Sequence, residues 1–151
     1  MPQSLSKVYI HLVFHVKIMG PQIRDKDLER TFSYIGKMIN ETGCHTIKVG
    51  GMNDHIHVLY LLSRDVSLAH VAEKIKSNTS RWIKTIDPIY NKFAWQGGYG
   101  VFSVGQSSVD NSINYIANQR EHHTKYSFQE EYLRFLNFHG IKYNEEYVFR
   151  D

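Results

Sequence analysis

The sequence predicts an α+β fold with one sheet covered on both sides, and three observations predict it. Four short runs are rich in β-branched and aromatic residues, as strands are. Two longer stretches, 25–42 and 67–85, carry apolar residues at helical spacing and fall between those runs. The run from His55 to Leu62 is apolar on both side-chain parities, so its strand needs cover on both faces. The order β-α-β-β-α-β, then helices, is the split βαβ pattern of ferredoxin-like and RRM-like folds. A four-stranded antiparallel sheet with additional C-terminal helices is therefore expected, as a single domain over residues 1–151.

The first strand is expected within Ser6 to Lys17, where His11 and His15 share a parity with Val13. Gly20-Pro21 ends it. Asp25 to Thr42 reads as a helix with Leu28, Phe32, Ile35 and Ile39 on one face, Asp25 or Asp27 as cap and Gly43 just past its end. Cys44 to Gly51 alternates as a second strand, and Gly50, Gly51 and Asn53 suggest a tight turn into the third. Ser67 caps a helix whose apolar stripe is Leu68, Val71, Ala72, Ile75, Thr79, Trp82 and Ile83. Its other face carries Lys74, Lys76, Arg81 and Lys84, a solvated face by default and a phosphate-contacting face as the second reading. A fourth strand is expected within Tyr99 to Val104, where Gly97, Gly98 and Gly100 suggest a bulge or a close backbone approach. Trp95 and Tyr99 are equally core residues or platforms for stacked bases. Ser107 or Ser108 caps a helix over Val109 to His123, and a last helix runs Phe128 to Phe138.

Composition narrows the function classes. The chain is 42% hydrophobic and 22% charged with a net charge of +3, which permits a nucleic-acid partner without demanding one. A single cysteine, Cys44, excludes an intramolecular disulfide and a cysteine-based zinc site, and a reducing cytoplasm is the natural setting. No apolar stretch approaches a membrane span, and no signal-peptide pattern opens the chain, so no membrane partner is expected.

The chemistry-bearing residues begin with His55-Ile56-His57. On a strand, residues two apart point to one face, so both imidazoles converge and can bind one divalent ion. The pair is weak evidence alone, since about 0.5 such pairs arise by chance among nine histidines in a chain of this length. Tyr115 and Gln119, four apart, share a face of the later helix.

Taken with Trp95-Gln96-Gly97-Gly98-Tyr99-Gly100-Val101-Phe102-Ser103-Val104 and with Asn118, His122 and His123, these pieces resemble the single-tyrosine HUH transposases of the IS200/IS605 insertion-sequence group. The resemblance runs over nearly the whole chain, and its strength lies in the conjunction and order of the motifs. It implies cleavage and rejoining of single-stranded DNA at hairpin-bearing element ends, with Tyr115 as nucleophile. It also implies His55, His57 and Gln119 as ligands of Mg²⁺ or Mn²⁺, and a homodimer whose active sites are shared between subunits. Lys17-Ile-Met-Gly-Pro21 departs from the segment common after the first strand in that group, which bears on DNA contacts from this loop.

The residue types suit that reaction. A cation beside a phosphodiester polarises it and stabilises the departing oxygen. Two neutral imidazoles and an amide leave positions open for substrate. A phenol with an ordinary pKa near 10 needs such a neighbour to become a nucleophile at neutral pH. Three other readings compete. One is a domesticated, REP-associated relative that acts on chromosomal hairpins. Another is an RRM-like nucleic-acid-binding protein without catalysis. The third is a small phosphoesterase that uses only the histidine pair.

Overall fold

The computed structural model describes residues 2–150. Four strands, β1 (Tyr9–His15), β2 (His45–Met52), β3 (His55–Leu61) and β4 (Gly100–Val104), form one antiparallel sheet in the order β2-β3-β1-β4. The helices are α1 (Asp25–Glu41), α2 (Leu68–Ile83), α3 (Val109–Ala117), α4 (Gln119–His122) and α5 (Phe128–Phe138). The α+β, ferredoxin-like order expected from the sequence is the order found.

Strand periodicity sorts the core into two layers. Ile10, Leu12, Phe14, Ile56, Val58 and Tyr60 point to α1 and α2, where they pack with Ile35, Ile39, Val71, Ile75, Tyr90, Phe93 and Trp95. The opposite parity carries Val13, Leu59 and Phe102 together with the strand histidines. It is covered by Ile113 and Ile116 of α3 and by Phe128 and Leu136 of α5. Each fully buried aliphatic or aromatic side chain contributes roughly 1.5–3 kcal/mol, so the second layer is a true core as well as a lining for the site.

Several local details differ from the sequence expectation. The β2–β3 turn is Asn53-Asp54, with Met52 paired to His55, so Gly50 and Gly51 belong to the strand. Their role is contact: a Cβ on Gly50 would stand 2.4 Å from the Ile116 carbonyl oxygen. Only a residue without one lets the end of α3 lie against β2. The irregularity foreseen near Gly97 lies instead in β2, between Thr46 and Lys48. Gly100 fulfils the close-approach alternative, because a Cβ there would meet the Tyr132 ring at 2.8 Å.

Asp27 does not cap α1; the cap position is Arg24, with no side-chain bond. Asp27 is instead fully buried and accepts from Arg24 Nε at 2.9 Å, Arg30 Nε at 3.0 Å and the Tyr90 hydroxyl at 2.5 Å. It thereby ties α1 to the 3₁₀ turn Pro88–Tyr90. Ser67 caps α2 as expected, accepting from the His70 amide. Ser108 holds the cap position of α3 but makes no side-chain cap bond, because a 3₁₀ turn, Gln106–Ser108, leads into the helix. The single helix expected over Val109 to His123 breaks at Asn118, whose backbone leaves the helical region at φ −104°, ψ 27°. Among the described residues no helix is long and apolar enough to cross a membrane.

Candidate active site

β3 delivers His55 and His57 to the face covered by α3, α4 and α5, and both are fully buried. Each ring is fixed through its Nδ1. Asp54 Oδ1 lies 2.6 Å from His55 Nδ1, and His11 Nε2 on the neighbouring strand lies 2.8 Å from His57 Nδ1. Such partners set ring orientation and tautomer and leave Nε2 directed at the site. His55 Nε2 faces Gln119 Oε1 at 2.9 Å, and His57 Nε2 faces Glu131 Oε1 at 2.8 Å. The Tyr115 hydroxyl donates to Glu131 Oε2, to which the Gln119 amide also donates at 3.3 Å. His123 closes the cluster, 3.1 Å from Gln119 Oε1 and 3.4 Å from Glu131.

The protonation pattern follows from these contacts. Burial lowers the His57 and His11 imidazoles below their ordinary value, so both are neutral near pH 7. Burial alone would raise the Glu131 carboxyl, but hydrogen bonds from His123, His57 and Tyr115 outweigh it and hold the group well below the carboxylate range. Burial, with the Glu131 charge and hydrogen bond, pushes the Tyr115 phenol up. His123 is raised: burial lowers it, and the Glu131 carboxylate more than compensates.

This donor set fits a divalent cation. Atoms of His55, His57 and Glu131 lie within 4.8 Å of one another. His55 Nε2 and the Gln119 side-chain oxygen lie 2.9 Å apart and face one another, a spacing that a shared proton or a shared cation satisfies. Neighbouring ligands around one octahedral ion are spaced about 3 Å apart. Neutral imidazoles beside an anionic carboxylate are the protonation states that metal binding needs.

The four residues singled out in the sequence, His55, His57, Tyr115 and Gln119, thus meet in one cluster. Glu131 was not foreseen. The available signal was a carboxylate on the apolar stripe of α5, at helical spacing between Phe128 and Phe135. The expected DNA contacts are scattered. Lys74, Lys76, Arg81 and Lys84 are on or just beyond α2, behind the sheet from the histidines. The Lys76 ammonium is occupied by the carbonyls of Gln96 and Gly98, at 2.9 and 2.7 Å. Trp95 is a core residue, edge-on to Phe14 and Phe93 and donating to the Lys76 carbonyl, which leaves it no face for a base. Tyr99 is exposed. A cavity of about 730 Å³ opens on Tyr115 and Glu131, and Arg134, His122, Tyr126 and His139 stand along its wall.

A ferredoxin-like sheet thus presents two buried histidines to a tyrosine on a following helix, with a carboxylate between them. The chain belongs to the family described as IS200-like transposases, which it matches over residues 4–119. The match stops at Gln119, so Glu131 and α5 lie beyond it. Two solved structures share the fold. One is a candidate transposase from Deinococcus radiodurans, 17% identical, with a TM-score of 0.60 over 79% of this chain and 98% of that one. The other is a REP-associated tyrosine transposase bound to a REP hairpin, 12% identical, with a TM-score of 0.60 over 82% and 73% of the two chains. No curated protein sequence matches the chain significantly.

Proposed function

We propose that the protein is a metal-dependent transposase that cleaves and rejoins single-stranded DNA at hairpin-bearing ends through a 5′-phosphotyrosine intermediate. One observation carries this reading: the Tyr115 hydroxyl and both histidines of His55-x-His57 converge on the Gln119–Glu131 pair. His55, His57 and Gln119 would hold Mg²⁺ or Mn²⁺, with Glu131 beside them. A divalent ion bound there supplies positive charge next to the phosphate and the phenol oxygen, stabilising negative charge as it develops.

Tyr115 Oη attacks phosphorus and loses its proton, and the bond from phosphorus to the 3′-oxygen breaks. The departing oxygen leaves with the electron pair and takes up a proton, giving a free 3′-OH. The phosphotyrosine conserves the bond's energy, so a second strand's 3′-OH rejoins DNA by the reverse step. Asp54 and His11 hold the imidazoles in register throughout. Tyr115→Phe should abolish cleavage of labelled hairpin DNA in Mn²⁺ while binding stays within about twofold, because the phenol oxygen acts only in bond exchange. Cleavage by that variant within tenfold of wild type would remove Tyr115 from the role.

The structural likeness to a hairpin-bound REP-associated relative favours a second reading of the substrate, chromosomal hairpins in place of element ends. Paired cleavage assays on the two kinds of hairpin separate them. The working unit under this proposal is a homodimer with shared sites, while the single chain has its own Tyr115 beside its own His57, ring centroids 5.7 Å apart. Mixed dimers of a His55→Ala/His57→Ala chain with a Tyr115→Phe chain regain cleavage only if sites form between subunits.

A further inference from the structure

A second cavity, about 330 Å³, lies at the β4 end of the site face. That volume is within the roughly 300–1,000 Å³ range of small-ligand sites. Gln96, Tyr99, Phe102, Tyr132, Tyr143 and Tyr147 are among its lining residues. No Lys, Arg, Asp or Glu lines it among the described residues. His15 also lines it, and apart from His15 and Gln96 the lining is aromatic, aliphatic or glycine, which suits an uncharged ring better than a phosphate.

One polar group in this cavity is left over. The Gln96 side chain is 3% exposed, and its amide nitrogen has no hydrogen-bond partner among the described residues. Buried amide donors are seldom left unpaired without a ligand or water to receive them. The Gln96 backbone is meanwhile pinned on both sides: its N–H donates to the His15 carbonyl at 2.8 Å, and its carbonyl accepts from Lys76 at 2.9 Å. Lys76 also holds Gly98, and Trp95 holds Lys76. The segment is thus preorganised by α2, with Gln96 among the residues of the cavity wall and its amide nitrogen buried behind that surface.

The cavity adjoins the candidate active site. Phe102 lines both it and the cavity that opens on Tyr115, and His15 pairs with His55 across the strands. We propose that this pocket holds one unpaired nucleobase of the substrate strand beside the scissile phosphate. The base packs on the tyrosine rings, and the Gln96 amide donates to an acceptor on its edge. This assignment rests on the single-stranded DNA reading above and adds to it a base-reading residue.

The test is an abasic scan. Binding of a labelled hairpin oligonucleotide with single-stranded flanks is measured without divalent ion, one flanking base being removed at a time. Wild type should show one flanking position where base loss weakens binding roughly tenfold. In Gln96→Leu and Tyr99→Ala that position should lose its penalty, while the intact oligonucleotide binds about tenfold more weakly than to wild type. Tyr99 is 39% exposed, so its variant keeps the test open if Gln96→Leu does not fold. An unchanged abasic profile in either folded variant overturns the pocket and leaves the transposase reading intact. Failure of wild type to bind any single-stranded hairpin substrate overturns both. Free deoxynucleoside monophosphates that compete as well as the oligonucleotide would assign the pocket to a free nucleotide and overturn its role in strand recognition.

Discussion

Replacing Gly50 by alanine should damage the site without touching it. The added Cβ would stand 2.4 Å from the Ile116 carbonyl oxygen and 2.8 Å from Ile116 Cγ2, where real Cβ contacts essentially never fall below 3.0 Å. The obstacle is backbone, so α3 must withdraw from β2 by at least the 0.6 Å between 2.4 and 3.0 Å. Tyr115 is the neighbour of Ile116, and Gln119 begins the next helix, so the shift is carried into the cluster. Overpacking of this kind costs about 1–3 kcal/mol. In a domain of this size each kcal/mol is worth roughly 2–4 °C of Tm, so Tm should fall by roughly 2–12 °C. Displacement of a reacting group by about 1 Å costs on the order of 100-fold in rate, and cleavage should fall by tens of fold even where the variant is fully folded. Circular dichroism melts and single-turnover cleavage of hairpin DNA measure the two effects. A variant with Tm within about 1 °C of wild type and unchanged cleavage would refute the packing of α3 on its own sheet.

Other outcomes follow from the same geometry. Asp54→Asn should weaken Mn²⁺ binding by roughly 10–100-fold in calorimetry, since it removes the charge that orients His55; equal affinity would detach Asp54 from the site. Burial would raise the Asp27 carboxyl, but hydrogen bonds from Tyr90, Arg30 and Arg24 hold it at about 2, below its unfolded value. Its contribution to stability is therefore present above about pH 4 and lost as pH falls through about 2. Urea melts of Asp27→Asn should show a flatter acid limb than wild type, and identical limbs would contradict the assignment. Trp95→Ala should cost about 3–5 kcal/mol of stability in urea melts, and a cost below about 1 kcal/mol would contradict its place in the core. Arg134→Gln should reduce the log–log salt slope of DNA binding by about 1, and Arg81→Gln should leave it unchanged, because only Arg134 lines the cavity at Tyr115. The reverse result would place the strand along α2.

Periodicity made the fold legible. His55 to Leu61, apolar on both parities, is covered on both faces, and the helical stripe of 68–83 buries the face its pattern predicts. The histidine pair and Tyr115 with Gln119 were legible for the same reason, since each pair lies within one element. What joins the elements was not. Glu131 reaches His57 from 74 positions away. Only its helical spacing to Phe128 and Phe135 separates it from Glu130, which remains exposed on the same turn. The break at Asn118 was hidden because Asn tolerates both helix and turn. Lys76 carried the right charge for phosphate, but its reach to the Gln96 and Gly98 carbonyls depends on how α2 crosses the sheet. Trp95 was balanced between core and platform, and tertiary packing decided it.

The central claim is that Tyr115 becomes covalently joined to DNA. Wild-type protein incubated with Mn²⁺ and a hairpin oligonucleotide, then denatured, digested and sequenced by tandem mass spectrometry, tests it most directly. The account predicts a nucleotide linked through a 5′-phosphate to Tyr115, absent when either Mn²⁺ or His57 is removed. A DNA adduct on any other residue, or cleavage that leaves no adduct at all, would contradict it.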